Sequence, residues 1–190
     1  MAPPKGKTRE KLLKAIMAYV AKEGIATLTL RQLASAIGTS HRMLVYHFGS
    51  KDELMIEVVR LLEQKQKVAL TALIADEALP PIEQMRRMWL RLIDPAMWQQ
   101  ERLFFEVYGQ ALHGRHGSQA FLDELIDPWL EPLSAAYRQQ GVAEAEVESA
   151  ARLALSVTRG LLMELLATGD RDSVERTMEH FLHFYRPGTN

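Results

Sequence analysis

Two capping boxes stand close together in "TLTLRQLASAIGTSHRMLVYHFGSKDELM", residues 27–55, and leave room for only two short helices between them. In each box a hydroxyl takes the backbone N–H three residues on, and the Gln or Glu at that third position reaches back to the cap N–H. Thr29 with Gln32 has this spacing, and so does Ser50 with Glu53. Leu28 and Leu33 flank the first box as a hydrophobic staple would. Gly38 closes one short helix, and a second runs from near Ser40 to Gly49. Two short helices around a three-residue turn have helix-turn-helix spacing.

The surrounding chain extends the pattern. Leu12, Ile16, Tyr19 and Val20 form a stripe at i, i+4, i+7 and i+8, which predicts a helix with Thr8 as its N-cap and Gly24 as its stop. A long helix opens at the second box and carries Leu54, Val58, Leu61, Leu62 and Val68. Pro80 and Pro81 end it, and Pro81 suits the first turn of the next. Further helical runs fall at about 82–93, 97–113, 118–140, 143–168 and 171–185, with breaks expected at Asp94-Pro95 and Asp127-Pro128. No alternating strand pattern with hairpin turns occurs, so the expected class is all-α.

Charge separates the start of the chain from the rest. Residues 1–50 hold eight Lys/Arg and two Glu, a net +6, whereas residues 51–190 hold fifteen against twenty-two acids, a net −7. Phosphate attraction is local, screened beyond about 8 Å at physiological salt, so a cationic head on an acidic body suggests that the head alone meets a polyanion. Cysteine is absent, which rules out disulfides and thiolate metal sites, and a cytoplasmic location is expected. The run Leu12 to Val20 is interrupted by Lys14, so no secretion signal is read there, and no apolar run approaches the ~18 residues of a membrane span. An enzyme is disfavoured by the lack of G-x-S-x-G, G-x-G-x-x-G and phosphate-loop motifs.

At 100° per residue, the second short helix places Leu44 and Phe48 on one side and Arg42 and Tyr46 on the other. One apolar edge to dock on partner helices and one edge of donors and methyl-bearing groups is what entry into a major groove requires. Arg42 can fork onto guanine, Met43 or Val45 can touch a thymine methyl, and His41 can donate or accept at a base edge. Tyr46, His47 and Lys51 are better placed for phosphates, which fix register without reading sequence. A surface helix with ordinary polar residues is the alternative.

The Leu33-Ala34 pair, Gly38, the His47-Phe48 pair and the Ser50-Lys51-x-Glu53-Leu54 opening resemble the DNA-binding head of the TetR family of bacterial transcriptional regulators over residues 8–54. The resemblance implies a head at residues 1–52 and a helical ligand-binding and dimerisation domain at 53–190. It implies that Thr29, Arg31 and Gln32 lie near phosphates or the groove edge, and that Thr39, Ser40, His41, Arg42, Met43 and Val45 belong to the DNA-contacting surface. Tyr46, His47 and Lys51 would contact the backbone or support the helix that does, and the tail with Lys5, Lys7 and Arg9 would reach an adjacent groove. Arg42, Met43 and Val45 depart from the residues common in the family, so no operator sequence carries over. "SVTRGLLMELLATG", residues 156–169, resembles the helix that helps build the family's dimer.

Eight of the fourteen aromatic residues fall between residues 80 and 140. Met85, Met88, Trp89, Trp98, Phe104, Phe105, Tyr108, Trp129 and Tyr137 are therefore candidates to line a site for an apolar or aromatic small molecule, with plain core packing as the alternative. Glu106, Tyr108, His113, Arg159 and Glu164 are candidates to orient it. The pairs His113/His116 and His180/His183 have ligand spacing but no visible third ligand, so neither a metal nor a cofactor is expected. Leu153, Leu155, Met178, Phe181, Leu182 and Phe184, among others, form stripes on the last two helices that need covering. The resemblance supplies the same helices of a second copy. The expected whole is a homodimeric regulator, more often a repressor in that family, on a pseudo-palindromic operator and responsive to a small-molecule effector; a helical interaction module with only non-specific DNA affinity is the rival.

Overall fold

The computed structural model describes residues 5–23, 28–76, 78–114 and 118–184, which are helices and short connections with no strand among them. The helices are α1 (Lys5–Glu23), α2 (Leu30–Ala36), α3 (His41–Phe48), α4 (Lys51–Ile74), α5 (Pro81–Leu92), α6 (Trp98–Leu112), α7 (Ser118–Asp123), α8 (Asp127–Gln139), α9 (Glu144–Thr168) and α10 (Arg171–Phe184), with a 3-10 turn at Pro95–Met97. None is long and apolar enough to cross a membrane.

Both boxes form. Thr29 Oγ1 accepts from Gln32 N at 3.3 Å while Gln32 Oε1 accepts from Thr29 N at 2.8 Å. Ser50 Oγ accepts from Glu53 N at 3.1 Å and Glu53 Oε2 accepts from Ser50 N at 2.7 Å. Between them Ser40 caps α3, accepting from Met43 N at 3.2 Å. The first helix differs from expectation, since it is already helical at Lys5 and Thr8 lies inside it rather than capping it. Gly24, its expected stop, lies outside the described residues.

The chain divides into two compact units. One comprises Met1–Leu62 and Gln99–Phe121, the other Glu63–Trp98 and Leu122–Asn190. The expected cut after residue 52 falls in the first turn of α4, whereas these units divide α4 at Leu62 and gather most of α6 with the head helices. In the first unit Ile16, Val20, Leu33, Leu44, Leu54, Val58 and Val59 are nearly or fully inaccessible, so the helix-turn-helix is built around one apolar centre.

In the second unit α9 lies against α8 and α10, and α5 also lies against α8 and α10, which closes a ring of four helices. The proline breaks set its corners. Pro80 precedes α5 with Pro81 at its first position, and Asp94 Oδ1 accepts from Ala96 N at 2.8 Å where the chain turns after α5. The run expected at 118–140 is two helices, because Pro128 starts α8 rather than continuing α7. Buried Gln84 holds the α4–α5 connection by donating Nε2 to the carbonyls of Ile74, Asp76 and Leu79 at 3.2–3.3 Å, while its Oε1 has no partner. Arg86 of α5 binds both Glu179 of α10 and Glu83 of its own helix, and the guanidinium holds both carboxyls below the usual carboxylate range.

Candidate nucleic-acid interface and internal cavity

Helix α3 turns Leu44 and Phe48 into the first unit's core and leaves His41, Arg42, Val45 and Tyr46 exposed, with Met43 and His47 half-buried. Its length is fixed at both ends: Ser40 caps the start, and Gly49 closes the finish with φ 75° and ψ −107° while donating its N–H to Val45 O at 2.9 Å. Those angles are open to glycine alone at little cost. A Cβ at Gly49 would also stand 2.0 Å from Glu53 Oε2, the carboxylate oxygen of the second capping box.

The exposed edge of α3 is available for a ligand. Arg42 and His41 make no hydrogen bond or ion pair to any other described residue, and neither does exposed Arg31 of α2. Thr29, Gln32 and Ser40 are different, because their cap bonds already occupy the hydroxyls and the Gln32 carbonyl. Thr39 is half-buried in the turn, and Lys51 is half-buried in the first turn of α4.

Arg9 corrects the expectation of a free tail. It sits in α1, donates Nε to the His47 carbonyl at 3.3 Å, pairs with Glu57 of α4, and lies over the Phe48 ring at 5.1 Å. One guanidinium therefore ties the first helix to the end of α3 and to α4. The side chains of Lys5 and Lys7 lie outside the described residues.

A partly open cleft with about 60 Å³ of internal space lies within the second unit. Every helix of the four-helix ring contributes to its wall, together with Leu70 of α4. Met85, Met88 and Trp89 of α5 and Trp129 and Tyr137 of α8 line it. Trp98, Phe104, Phe105 and Tyr108 do not. Trp98 donates Nε1 to Ile93 O at 3.2 Å at the corner after α5, and Phe104, Phe105 and Tyr108 form a ring cluster on α6, in the first unit, with centroids 5.1 and 5.9 Å apart. Aromatic content is high across that whole stretch, but the stretch crosses from one unit to the other.

The wall also takes residues that stripes alone assigned elsewhere. Leu155 of α9 and Met178, Phe181 and Leu182 of α10 face the cleft instead of an outer surface, as does Thr158. None of Glu106, His113, Arg159 or Glu164 lines it. Arg159 donates Nη2 to Leu125 O at 2.7 Å and stands 3.5 Å from Glu63 Oε2, which accepts from Trp129 Nε1 at 2.8 Å. Glu63 went unrecognised because its polar neighbours in sequence make it look like a solvated helix residue. Among the described residues no group of three His, Asp or Glu could hold a metal, and His116 lies outside them.

Burial raises the Glu63 carboxyl above its ordinary value, and Arg159 and the Trp129 N–H offset only part of that. Because the folded form holds the proton more tightly than the unfolded chain, Glu63 lends stability at low pH that is lost as pH rises through its raised value. Glu63→Gln removes this dependence. Its stability relative to the parent, measured by urea unfolding, is expected to be more favourable at pH 7 than at pH 4.5, and an equal difference at both would contradict the assigned direction.

Residues 12–58 match the sequence profile of the family described as bacterial regulatory proteins, tetR family. Over 53 residues the chain is 36% identical to the HTH-type transcriptional repressor NicS of Pseudomonas putida, a match covering 28% of this chain and 25% of that protein. The matched region therefore spans only about a quarter of that relative's length. The fold is similar over nearly the whole chain to a TetR transcriptional regulator from Legionella pneumophila, with a TM-score of 0.70 at 18% identity, covering 96% of this chain and 98% of that one. It is similar as well to a transcriptional regulator from Rhodococcus sp., with a TM-score of 0.74 at 19% identity, covering 93% and 95%.

Proposed function

We propose, from the match of residues 12–58 to the tetR family of bacterial regulatory proteins, that the chain is a member of that family and a sequence-specific DNA-binding transcriptional repressor, released from its operator by a small molecule held in the four-helix ring. The observation that carries this reading is the outer edge of α3. His41, Arg42, Val45 and Tyr46 stand exposed on a helix whose two ends and inner face are fixed. Arg42 reads a base, Val45 and Met43 offer methyl contacts, and Arg31, Tyr46, His47 and Lys51 serve the phosphates. The net +6 of residues 1–50 supplies the salt-dependent attraction to phosphates.

The working unit is a homodimer through α9 and α10. Leu153, Ser156, Gly160, Met163 and Ala167 are all exposed on α9 at spacings of three and four residues, a seam of apolar and small side chains on which a second copy can seat. Two-fold symmetry would then set the α3 helices for half-sites ~34 to 36 Å apart. An effector that prefers the conformation in which this spacing is lost weakens operator binding by its differential affinity, typically ~1–3 kcal/mol, and operator weakens the effector equally.

Selection of the purified chain on a random duplex library at near-physiological salt tests the reading. A two-fold-symmetric site should be enriched. Binding that is steeply salt-dependent yet shows no preferred sequence would reduce the head to a cationic surface and leave the chain a helical interaction module.

A further inference from the structure

We propose that the effector is a neutral, flat, largely apolar molecule carrying a hydrogen-bond acceptor, and that this acceptor receives the N–H of Trp89. The inference rests on the reading of the cleft as the effector site and specifies the chemistry of what enters it.

The wall carries no charged side chain. An ionised ligand would leave its water there without a counter-charge, which is strongly unfavourable. The aromatic faces favour a flat ligand, while Met85, Met88 and Met178 adapt to its outline.

The three tryptophans separate the polar requirement from the apolar one. Trp98 gives its N–H to the Ile93 carbonyl and Trp129 gives its own to Glu63, so both are satisfied inside the protein. Trp89 is only 3% exposed, stands in the cleft wall, and its Nε1 has no partner. A buried donor left unpaired costs free energy, and a ligand that supplies the missing acceptor recovers it on binding. An indole N–H can only donate, so the ligand must accept. A ketone, ester or ether oxygen meets the requirement, a plain hydrocarbon does not, and a carboxylate fails on charge.

Three probes of nearly equal size test this by calorimetry on the full chain: 1-tetralone, tetralin and 1-naphthoate. The ketone is expected to bind about tenfold more tightly than tetralin, and 1-naphthoate more weakly than either. Trp89→Phe keeps an aromatic ring and removes the donor. It should bring 1-tetralone to within twofold of tetralin, whatever change the smaller ring imposes on both probes alike. Equal binding of ketone and hydrocarbon to the parent, a preference that survives in Trp89→Phe, tighter binding of 1-naphthoate, or no binding of any probe would each overturn the proposal. Should Trp89→Phe fail to fold, the ratio of the two neutral probes on the parent decides. Titrating the selected operator in the presence of saturating 1-tetralone keeps the two readings apart. Donor-dependent binding that leaves operator affinity untouched would uphold the ligand chemistry and sink the effector role.

Discussion

Gly49→Ala is expected to destabilise the head by about 3 kcal/mol, read as a shift in the urea midpoint of its unfolding. Two costs add. The backbone at φ 75° and ψ −107° is closed to a residue with a Cβ unless the turn rearranges, typically about 1–3 kcal/mol. The new methyl would also stand 2.0 Å from Glu53 Oε2, so the carboxylate must leave the Ser50 N–H that it accepts at 2.7 Å, a cap interaction worth about 1 kcal/mol. Glu53→Ala separates the contributions, since it loses the cap but keeps the glycine. If Gly49→Ala were no worse than Glu53→Ala, the backbone conformation would carry no strain for an L-residue.

Arg42→Ala is expected to lower operator affinity by ~1–3 kcal/mol with the loss concentrated at one base position of each half-site. The side chain is exposed on α3 and has no ion pair or hydrogen bond to another described residue, so its removal leaves the protein's own contacts intact. Unfolding should therefore be unchanged, and the effect should be confined to DNA. Titration against the selected site and its single-base variants distinguishes the possibilities. A uniform loss across all variants, with a shallower salt dependence, would make Arg42 a phosphate contact instead of a base reader.

The head was largely legible from sequence because its signals are local. Capping boxes act over three residues, and the inward Leu44 and Phe48 follow from helical geometry once the ends of α3 are known. Arg9 was misread for the opposite reason: its partners Glu57 and His47 lie 48 and 38 residues away, and no local pattern announces such a pair. The cleft was half legible. Trp89 and Trp129 were singled out by residue type, but Phe104 and Tyr108 share that type and belong to the other unit. Met178 and Phe181 present an apolar stripe whether they face a ligand, a core or a second copy, and only the closed ring of helices distinguishes these. Glu63 has no sequence signal at all, since its role depends on Trp129 and Arg159 meeting it from two other helices.

Val45 and Tyr46, 42% and 59% exposed on the outer edge of α3, have a thermodynamic consequence. Apolar surface kept wet in the free protein and dried in a groove gives a negative heat-capacity change on association, whereas counterion release from phosphates contributes salt dependence without drying apolar surface. Under the proposed function, search along random DNA and arrival at the operator would carry different temperature signatures. On the proposed docking of α3, warming would progressively make specific binding more enthalpic while leaving sliding nearly unaffected, so the drying of these two side chains would mark calorimetrically the moment at which the groove is entered.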